Sequence, residues 1–162
     1  MSNYMRPRHP GATVFFTVTV AQRGGGLLVR EIEALRHAVQ VTRSERPFAI
    51  DAWVVLPDHL HCVWTLPEGD SDYSTRIGAI KARFSIMTRR AGFTPPIPHP
   101  PRSAHRKGQV GIWQKRFWEH HIRDEADFRA HVRYCWINPV KHGLVQSPAE
   151  WPYSSYHRDG ET

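Results

Sequence analysis

The sequence has few cysteines and no long apolar run. Cys62 and Cys135 are the only two cysteines in 162 residues, so neither a disulfide framework nor a four-cysteine zinc site can be built. No apolar run approaches the length that crosses a membrane, and the N-terminal residues lack the apolar stretch of a secretory signal. We therefore expect a soluble, cytoplasmic protein that makes no membrane contact.

Acidic residues are also scarce relative to basic ones. The 22 Lys and Arg exceed the 15 Asp and Glu, which gives a net charge of +7 and favours a polyanionic partner. The same balance occurs in proteins that bind no nucleic acid. Zinc-protease, phosphate-loop and nucleophile-elbow motifs are all missing, so we expect no nucleotide cofactor. The length favours one domain, 1–162.

Apolar periodicity predicts an α+β fold. The predicted strands and helices alternate along the chain: strand 13–21, helix 28–46, strands 48–55 and 59–66, helix 73–90, strand 119–122 and a helix after Asp124. This order is typical of a ferredoxin-like antiparallel sheet with two helices on one face and the last helix across the other. Residues 93–108 are rich in proline and basic side chains, which predicts a flexible loop.

Two histidines share one face of the third predicted strand. Alternate side chains of a strand point the same way, so His59 and His61 point together while Leu60 and Cys62 face the core. Paired imidazoles supply half of a metal site. The alternative is two polar residues on a solvated strand face.

The last predicted helix places a phenol and a carboxamide one turn apart. Asp124 is its expected N-cap, and Pro139 is predicted to end it at Asn138. Tyr134 and Asn138 then lie on one polar stripe with His131. Alternatively, Tyr134 is a packing residue and Asn138 a helix terminator. If the stripe faces the imidazoles, two nitrogens, an amide oxygen and a phenol converge, which suits phosphoryl transfer assisted by a metal ion.

These motifs occur with other sequence blocks in an order that resembles a known family. The blocks are 10–17, 59–61, 117–120, 134–145 and 151–156, and together they span nearly the whole chain. The sequence resembles the REP-associated tyrosine transposases, a branch of the single-tyrosine HUH transposases and nucleases. Its last helix would then be the catalytic helix.

The resemblance implies both an activity and a site. It implies a metal-dependent endonuclease and strand transferase that cleaves single-stranded, hairpin-forming repeat DNA through a 5′-phosphotyrosine intermediate. By the same resemblance Tyr134 is the nucleophile, and His59, His61 and Asn138 hold Mg²⁺ or Mn²⁺. By the resemblance a monomer is expected in preference to a homodimer. Two alternatives stay open: a domesticated repeat-DNA-binding protein with little or no cleavage, and an unrelated hydrolase whose histidines activate water.

Basic and aromatic side chains outside this site are candidate DNA contacts. Cations neutralise phosphates, and aromatic rings stack on unpaired bases. The candidates are Arg6, Arg8, Lys81, Arg83, Arg89, Arg90, Trp113, Lys115 and Arg116. Alternatively, they form solvated faces and the edge of the core. His120, His121 and His131 are candidates for proton transfer or phosphate contact, but they are assigned no role, because surface histidines without one are more common.

Overall fold

A four-stranded antiparallel sheet forms the centre of the protein, in a computed structural model that describes residues 9–92 and 111–160. The strands are β1 (Thr13–Thr19), β2 (Ala49–Val55), β3 (His59–Thr65) and β4 (Trp118–His121). Their order in the sheet is β2-β3-β1-β4, and every neighbouring pair is antiparallel. The α+β, ferredoxin-like prediction is confirmed.

Within residues 9–92 and 111–160, five helices and one 3₁₀ turn surround the sheet. They are α1 (Leu27–Arg30), α2 (Ile32–Glu45), α3 (Tyr73–Arg90), α4 (Glu125–Lys141), the 3₁₀ turn Pro148–Glu150 and α5 (Tyr156–Asp159). The helix predicted over 28–46 is divided, because Glu31 has non-helical angles of φ −106° and ψ 34°. Within the described ranges no helix is both long and apolar enough to cross a bilayer.

The two faces of the sheet are covered by different helices. On one face, Phe16, Cys62 and Trp64 are buried in a core that α2 and α3 complete. On the other face, Phe15 and Val63 pack in a smaller core that includes side chains of α4. Because successive strand residues point to opposite faces, β1 and β3 contribute to both cores. The prediction that the last helix crosses the second face is therefore confirmed.

A buried arginine joins the end of α2 to the start of α3. Arg76 is 2% exposed and donates to both carboxylate oxygens of Asp70, at 3.1 and 2.8 Å. It also donates to the carbonyl oxygens of Arg46, Pro47 and Asp72. The hydrogen bond from Arg76, followed by the one from the backbone N–H of Asp72, lowers the pKa of Asp70 to about 2. Arg76 thus forms a structural ion pair with Asp70 and is not part of a solvated basic face.

The segment after α4 covers the outer edge of β2. The backbone N–H of Val55 donates to the carbonyl of Tyr153 at 2.9 Å, and the Trp151 indole donates to the Val55 carbonyl at 2.8 Å. The backbone N–H of Trp53 donates to the Ser155 hydroxyl at 2.9 Å. Edge groups that would otherwise lack partners are satisfied in this way.

The prediction that Pro139 ends the last helix is wrong. Helix α4 continues to Lys141 with Pro139 inside it, although proline cannot donate the usual backbone hydrogen bond. The following turn still closes, because the N–H of His142 donates to the Asn138 carbonyl and that of Leu144 to the Pro139 carbonyl. Asn138 therefore sits inside the helix, at helical spacing from Tyr134.

Two sequence predictions concern residues that the structure does not describe. The basic, proline-rich loop predicted at 93–108 lies outside the described ranges, as do Arg6 and Arg8 of the N-terminal segment. Both remain predictions.

Candidate active site

His59 and His61 lie together at the start of β3, inside the protein rather than on a solvated face. Their ring centroids are 4.9 Å apart, and the two residues are 7% and 4% exposed. Burial of two adjacent imidazoles has a free-energy cost unless they acquire partners. The alternative of two solvated polar residues does not fit this environment.

Each imidazole is oriented through its Nδ1 atom. For His59 this atom lies 2.6 Å from a carboxylate oxygen of Asp58, and for His61 it lies 2.8 Å from the Thr17 hydroxyl. The Nε2 atom of each ring is left to bind a ligand, an arrangement common in metal sites. Burial, together with the nearby positive charges of His59, His142 and Lys141, lowers the pKa of His61 to about 3. His61 is therefore neutral and can offer a lone pair.

Helix α4 brings Tyr134 to these histidines within one chain. The ring centroids of Tyr134 and His61 are 5.1 Å apart, with the planes at 69°. Phe15 of β1 packs against both rings, at 5.6 Å from His61 and 5.8 Å from Tyr134. On another side of the phenol, the Lys141 ammonium lies 5.3 Å from the ring centroid. Tyr134 is half-buried rather than enclosed.

Asn138 is completely buried, and its amide is left unsatisfied. Among the described residues neither its Oδ1 nor its Nδ2 atom has a hydrogen-bond partner. The amide lies close enough to His61 to favour the protonated form of that ring, which raises its pKa slightly against the larger lowering effects. The two groups do not have the geometry of a formed hydrogen bond. An unpaired buried amide costs about 1–3 kcal/mol. Its oxygen and the two imidazoles form a donor set that fits a divalent metal ion.

Sequence reasoning gave no role to three residues that border His59, His61 and Asn138. Asp58 immediately precedes His59, and that adjacency could have suggested its role. Thr17 reaches His61 only because β1 and β3 pair in a register that places the two residues opposite each other. His142 lies one helical turn after Asn138, with its ring centroid 5.2 Å from that of His59.

A second group of ligand-type side chains lies between β4 and α4. The Asp127 carboxylate is 2.9 Å from Nε2 of His120 and 3.1 Å from Nδ1 of His131. Their ligand atoms all lie within 4.8 Å of one another. The signal in the sequence is an Asp and a His four residues apart on one helix, which makes them neighbours on its surface.

An open pocket of about 430 Å³ adjoins Tyr134. Side chains of β1, β4 and α4 line it: Phe15, Thr17, Trp118, Ala130, His131 and Tyr134. Trp118 is 65% exposed, which is unusual for so large an apolar ring. The pocket is thus a concave surface with an aromatic wall beside the phenol.

The structure brings together only some of the candidate DNA contacts. Lys81, Arg89 and Lys115 line a groove of about 400 Å³, which we call the Lys81 groove, between α3 and residues 113–117. Arg83 instead pairs with Glu45 of α2. Two further candidates, Arg90 and Arg116, are exposed but do not line this groove.

Trp113 is part of the core. It is 6% exposed, its indole N–H donates to the Lys81 carbonyl at 3.2 Å, and its ring packs on Phe84. A buried ring cannot stack on a base. The exposed aromatic side chain of this segment is Trp118.

The sequence is similar to curated proteins over almost its full length, although no family model matches it. It is 46% identical over 159 residues to the REP-associated tyrosine transposase of Escherichia coli, covering 98% of this chain and 85% of that protein. A Haemophilus influenzae protein assigned to the same family is 41% identical over 163 residues, with 98% and 88% covered.

Solved structures agree with this result. A REP-associated tyrosine transposase bound to a REP hairpin superimposes with a TM-score of 0.80 at 46% identity, covering 98% of this chain and 85% of that one. A Deinococcus radiodurans structure with a TM-score of 0.51 and 12% identity, covering 89% and 98%, shares the fold alone. The resemblance seen in the sequence is confirmed, and the chain belongs to the family of REP-associated tyrosine transposases.

Proposed function

We propose that this protein binds hairpin-forming repeat DNA as a single strand and cleaves it by attack of Tyr134 on a phosphodiester. The observation that carries the proposal is the position of the Tyr134 ring, 5.1 Å from His61 and on the same helix as the unsatisfied Asn138 amide. The related structure bound to a REP hairpin supports DNA as the partner.

The chemistry assigned to the chain is transfer of a phosphoryl group to tyrosine. The phenol oxygen of Tyr134 bonds to phosphorus, the bond to the 3′ oxygen breaks, and the 5′ phosphate stays attached to the protein. A 3′ hydroxyl can later attack this linkage and rejoin DNA, because the phosphodiester energy is retained. No nucleotide cofactor is needed for either step.

The residues around Tyr134 fit a metal-assisted reaction. Nε2 of His59, Nε2 of His61 and Oδ1 of Asn138 would hold the ion, and a bound Mg²⁺ or Mn²⁺ would polarise a phosphoryl oxygen as a Lewis acid. Asp58 and Thr17 fix the two imidazole rings from behind. Since all of these side chains come from one chain, we propose that the monomer holds a complete site.

The position of β4 suggests a path for the strand. Successive residues of this segment face opposite ways: Phe117 lines the Lys81 groove, and Trp118 lines the pocket beside Tyr134. We propose that DNA crosses this edge of the sheet, with phosphates at Lys81, Arg89 and Lys115. An unpaired base then stacks on Trp118.

The test is covalent capture of a labelled hairpin oligonucleotide. Tyr134→Phe should bind DNA within about threefold of wild type but form no protein–DNA adduct, because it lacks the attacking oxygen. Tyr153→Phe is the matched control, since this tyrosine packs against the core on the opposite face of the sheet and should leave adduct formation unchanged.

Three results would contradict the proposal. Nicking that survives in Tyr134→Phe would indicate a hydrolase whose histidines activate water. Wild-type binding without any adduct in Mg²⁺ or Mn²⁺ would favour a DNA-binding protein that does not cleave. Adduct formation unaffected by a chelator would remove the role given to His59, His61 and Asn138.

A further inference from the structure

A carboxylate and an imidazole next to the Tyr134 pocket form a pair that has no part in the proposed metal site. Nδ1 of His131 lies 2.9 Å from the backbone carbonyl of Asp127 and 3.1 Å from its carboxylate. Both partners only accept hydrogen bonds, so Nδ1 must carry the proton. In the neutral form of the ring the lone pair is therefore on Nε2, as a general base requires.

Asp127 is itself fixed from several directions. One carboxylate oxygen accepts from the backbone N–H of Arg123 and from Nε2 of His120, each at 2.9 Å. Its own N–H donates to the N-cap Asp124 at 2.8 Å. Its pKa is lowered to about 2, chiefly by the Arg123 hydrogen bond and then by that of His120, so it stays ionised at neutral pH. The carboxylate can hold His131 in one tautomer and one orientation.

The geometry disfavours a second cation site at these residues. The rings of His120 and His131 are stacked, with centroids 4.6 Å apart and planes only 19° from parallel. Lone pairs lie in the ring planes, and a metal ion must sit about 2.1 Å from each nitrogen. Two nearly parallel imidazoles cannot both reach one ion unless a ring rotates. Hydrogen bonds to the shared carboxylate suit both rings as they stand.

His131 lies on the nucleophile's side of the molecule. It lines the same open pocket as Tyr134, one helical turn earlier on α4. Phe15 contacts both rings, with centroids 4.8 Å from His131 and 5.8 Å from Tyr134. A nucleophile, a base and a carboxylate that orients the base recur in covalent catalysis on unrelated folds.

We infer that His131, oriented by Asp127, accepts the proton of Tyr134 as its oxygen attacks DNA. The inference rests on the proposed function. The O–H bond of Tyr134 breaks, and its proton passes to Nε2 of His131. A bond forms between the phenol oxygen and phosphorus while the bond to the 3′ oxygen breaks, and water supplies a proton to that oxygen. On rejoining, the imidazolium returns its proton to the phenol. His131 is thus a catalytic residue and Asp127 a positioning residue.

The experiment measures single-turnover adduct formation on two hairpin oligonucleotides. One has an ordinary scissile phosphate, and the other has a bridging sulfur in place of the 3′ oxygen, whose thiolate leaves without a proton. His131→Ala and His131→Gln should each slow the reaction about 10²–10⁴-fold on both substrates, with DNA affinity changed less than about threefold. Added imidazole should restore part of the His131→Ala rate. Asp127→Asn should lie between His131→Ala and wild type.

A matched control separates chemistry from folding. His37→Ala removes an exposed histidine from α2, which packs on the other face of the sheet, and should react at the wild-type rate. Thermal melts of all variants give their stabilities. Added imidazole would not rescue a purely structural defect. If folded His131→Ala shows no rescue, that result therefore counts against the inference.

Different failures lead to different conclusions. If the sulfur substrate restores His131→Ala to the wild-type rate, the proton goes to the leaving group and the inference is overturned. It is also overturned if His131→Ala reacts at the wild-type rate. A third contrary result is Co²⁺ binding to wild type and Asn138→Leu but not to His131→Ala, because that would indicate a metal site formed by His120, Asp127 and His131. A wild-type chain that forms no adduct overturns the proposed function, and this inference with it.

Discussion

The unsatisfied amide of Asn138 gives a prediction in which stability and activity change in opposite directions. Leucine has the same branched skeleton without the two polar atoms. An unpaired buried amide costs about 1–3 kcal/mol, so Asn138→Leu should raise the free energy of unfolding of the metal-free protein by about 2 kcal/mol. For a chain of this length that corresponds to a rise in Tm of about 4–8 °C.

The assay is urea denaturation in a chelator, repeated with Mn²⁺. Wild type should gain about 2.7 kcal/mol when Mn²⁺ is present at a hundred times its Kd, because the ion binds only the folded state. Asn138→Leu should gain much less and should form no DNA adduct. Gln40→Leu, an exposed change on α2, controls for the added apolar surface and should shift stability by less than about 0.5 kcal/mol.

Two outcomes would refute the reasoning. Asn138→Leu could prove less stable than wild type in the chelator, which would mean that the amide has partners in solution or that leucine does not fit. Equal stabilisation of both proteins by Mn²⁺ would mean that Asn138 is not a ligand. The first result would refute the stability argument, and the second would remove the ligand role assigned to Asn138.

Three further predictions concern the ion pair and the exposed aromatic ring. Arg76→Met should lower the free energy of unfolding by about 3–5 kcal/mol, because it leaves Asp70 and backbone carbonyls without their partner. The control Arg36→Met removes an exposed arginine and should cost less than about 1 kcal/mol. Equal losses in urea melts would contradict this prediction. Because the pKa of Asp70 is lower in the folded protein than its value near 4 in the unfolded chain, ionised Asp70 stabilises the fold above about pH 4. This stabilisation is lost as the pH falls from about 4 to about 2. Across that interval the urea midpoint should fall less in Arg76→Met than in wild type. Trp118→Ala should weaken hairpin binding about 5- to 150-fold, measured by fluorescence anisotropy, with stability unchanged. Trp113→Ala should instead lower the free energy of unfolding by about 3–5 kcal/mol. Unchanged affinity in Trp118→Ala would remove the stacking site.

Local signals were enough to predict most of the fold. Helix α3 has the bounds expected from the sequence, because apolar residues recur at helical spacing after Asp72, whose side chain caps the helix. Strand alternation also assigned the faces of β3 correctly, since period-2 patterning is nearly independent of the rest of the chain. The end of α4 was missed. The preference of the residue before proline is weaker than the packing that buries Asn138 and Pro139.

Contacts between elements were harder to predict. That Tyr134 and Asn138 share a stripe follows from helical spacing, but that this stripe meets His59 and His61 was only a conditional expectation. The Asp127–His131 pair was visible as an i, i+4 spacing, yet its meeting with His120 depends on how β4 leads into α4. Side chains that meet through tertiary packing leave no periodic trace in a single sequence.

One hydroxyl group links the two layers that carry the site. Ser155 accepts from the backbone of Trp53 in β2, at 2.9 Å, and from the indole of Trp136 in α4, at 3.2 Å. The sheet presents the histidines and α4 presents the tyrosine, so their separation depends partly on this shared acceptor. A screen that selects for loss of activity should therefore also recover substitutions of Ser155, a position that would attract no attention from its chemistry alone.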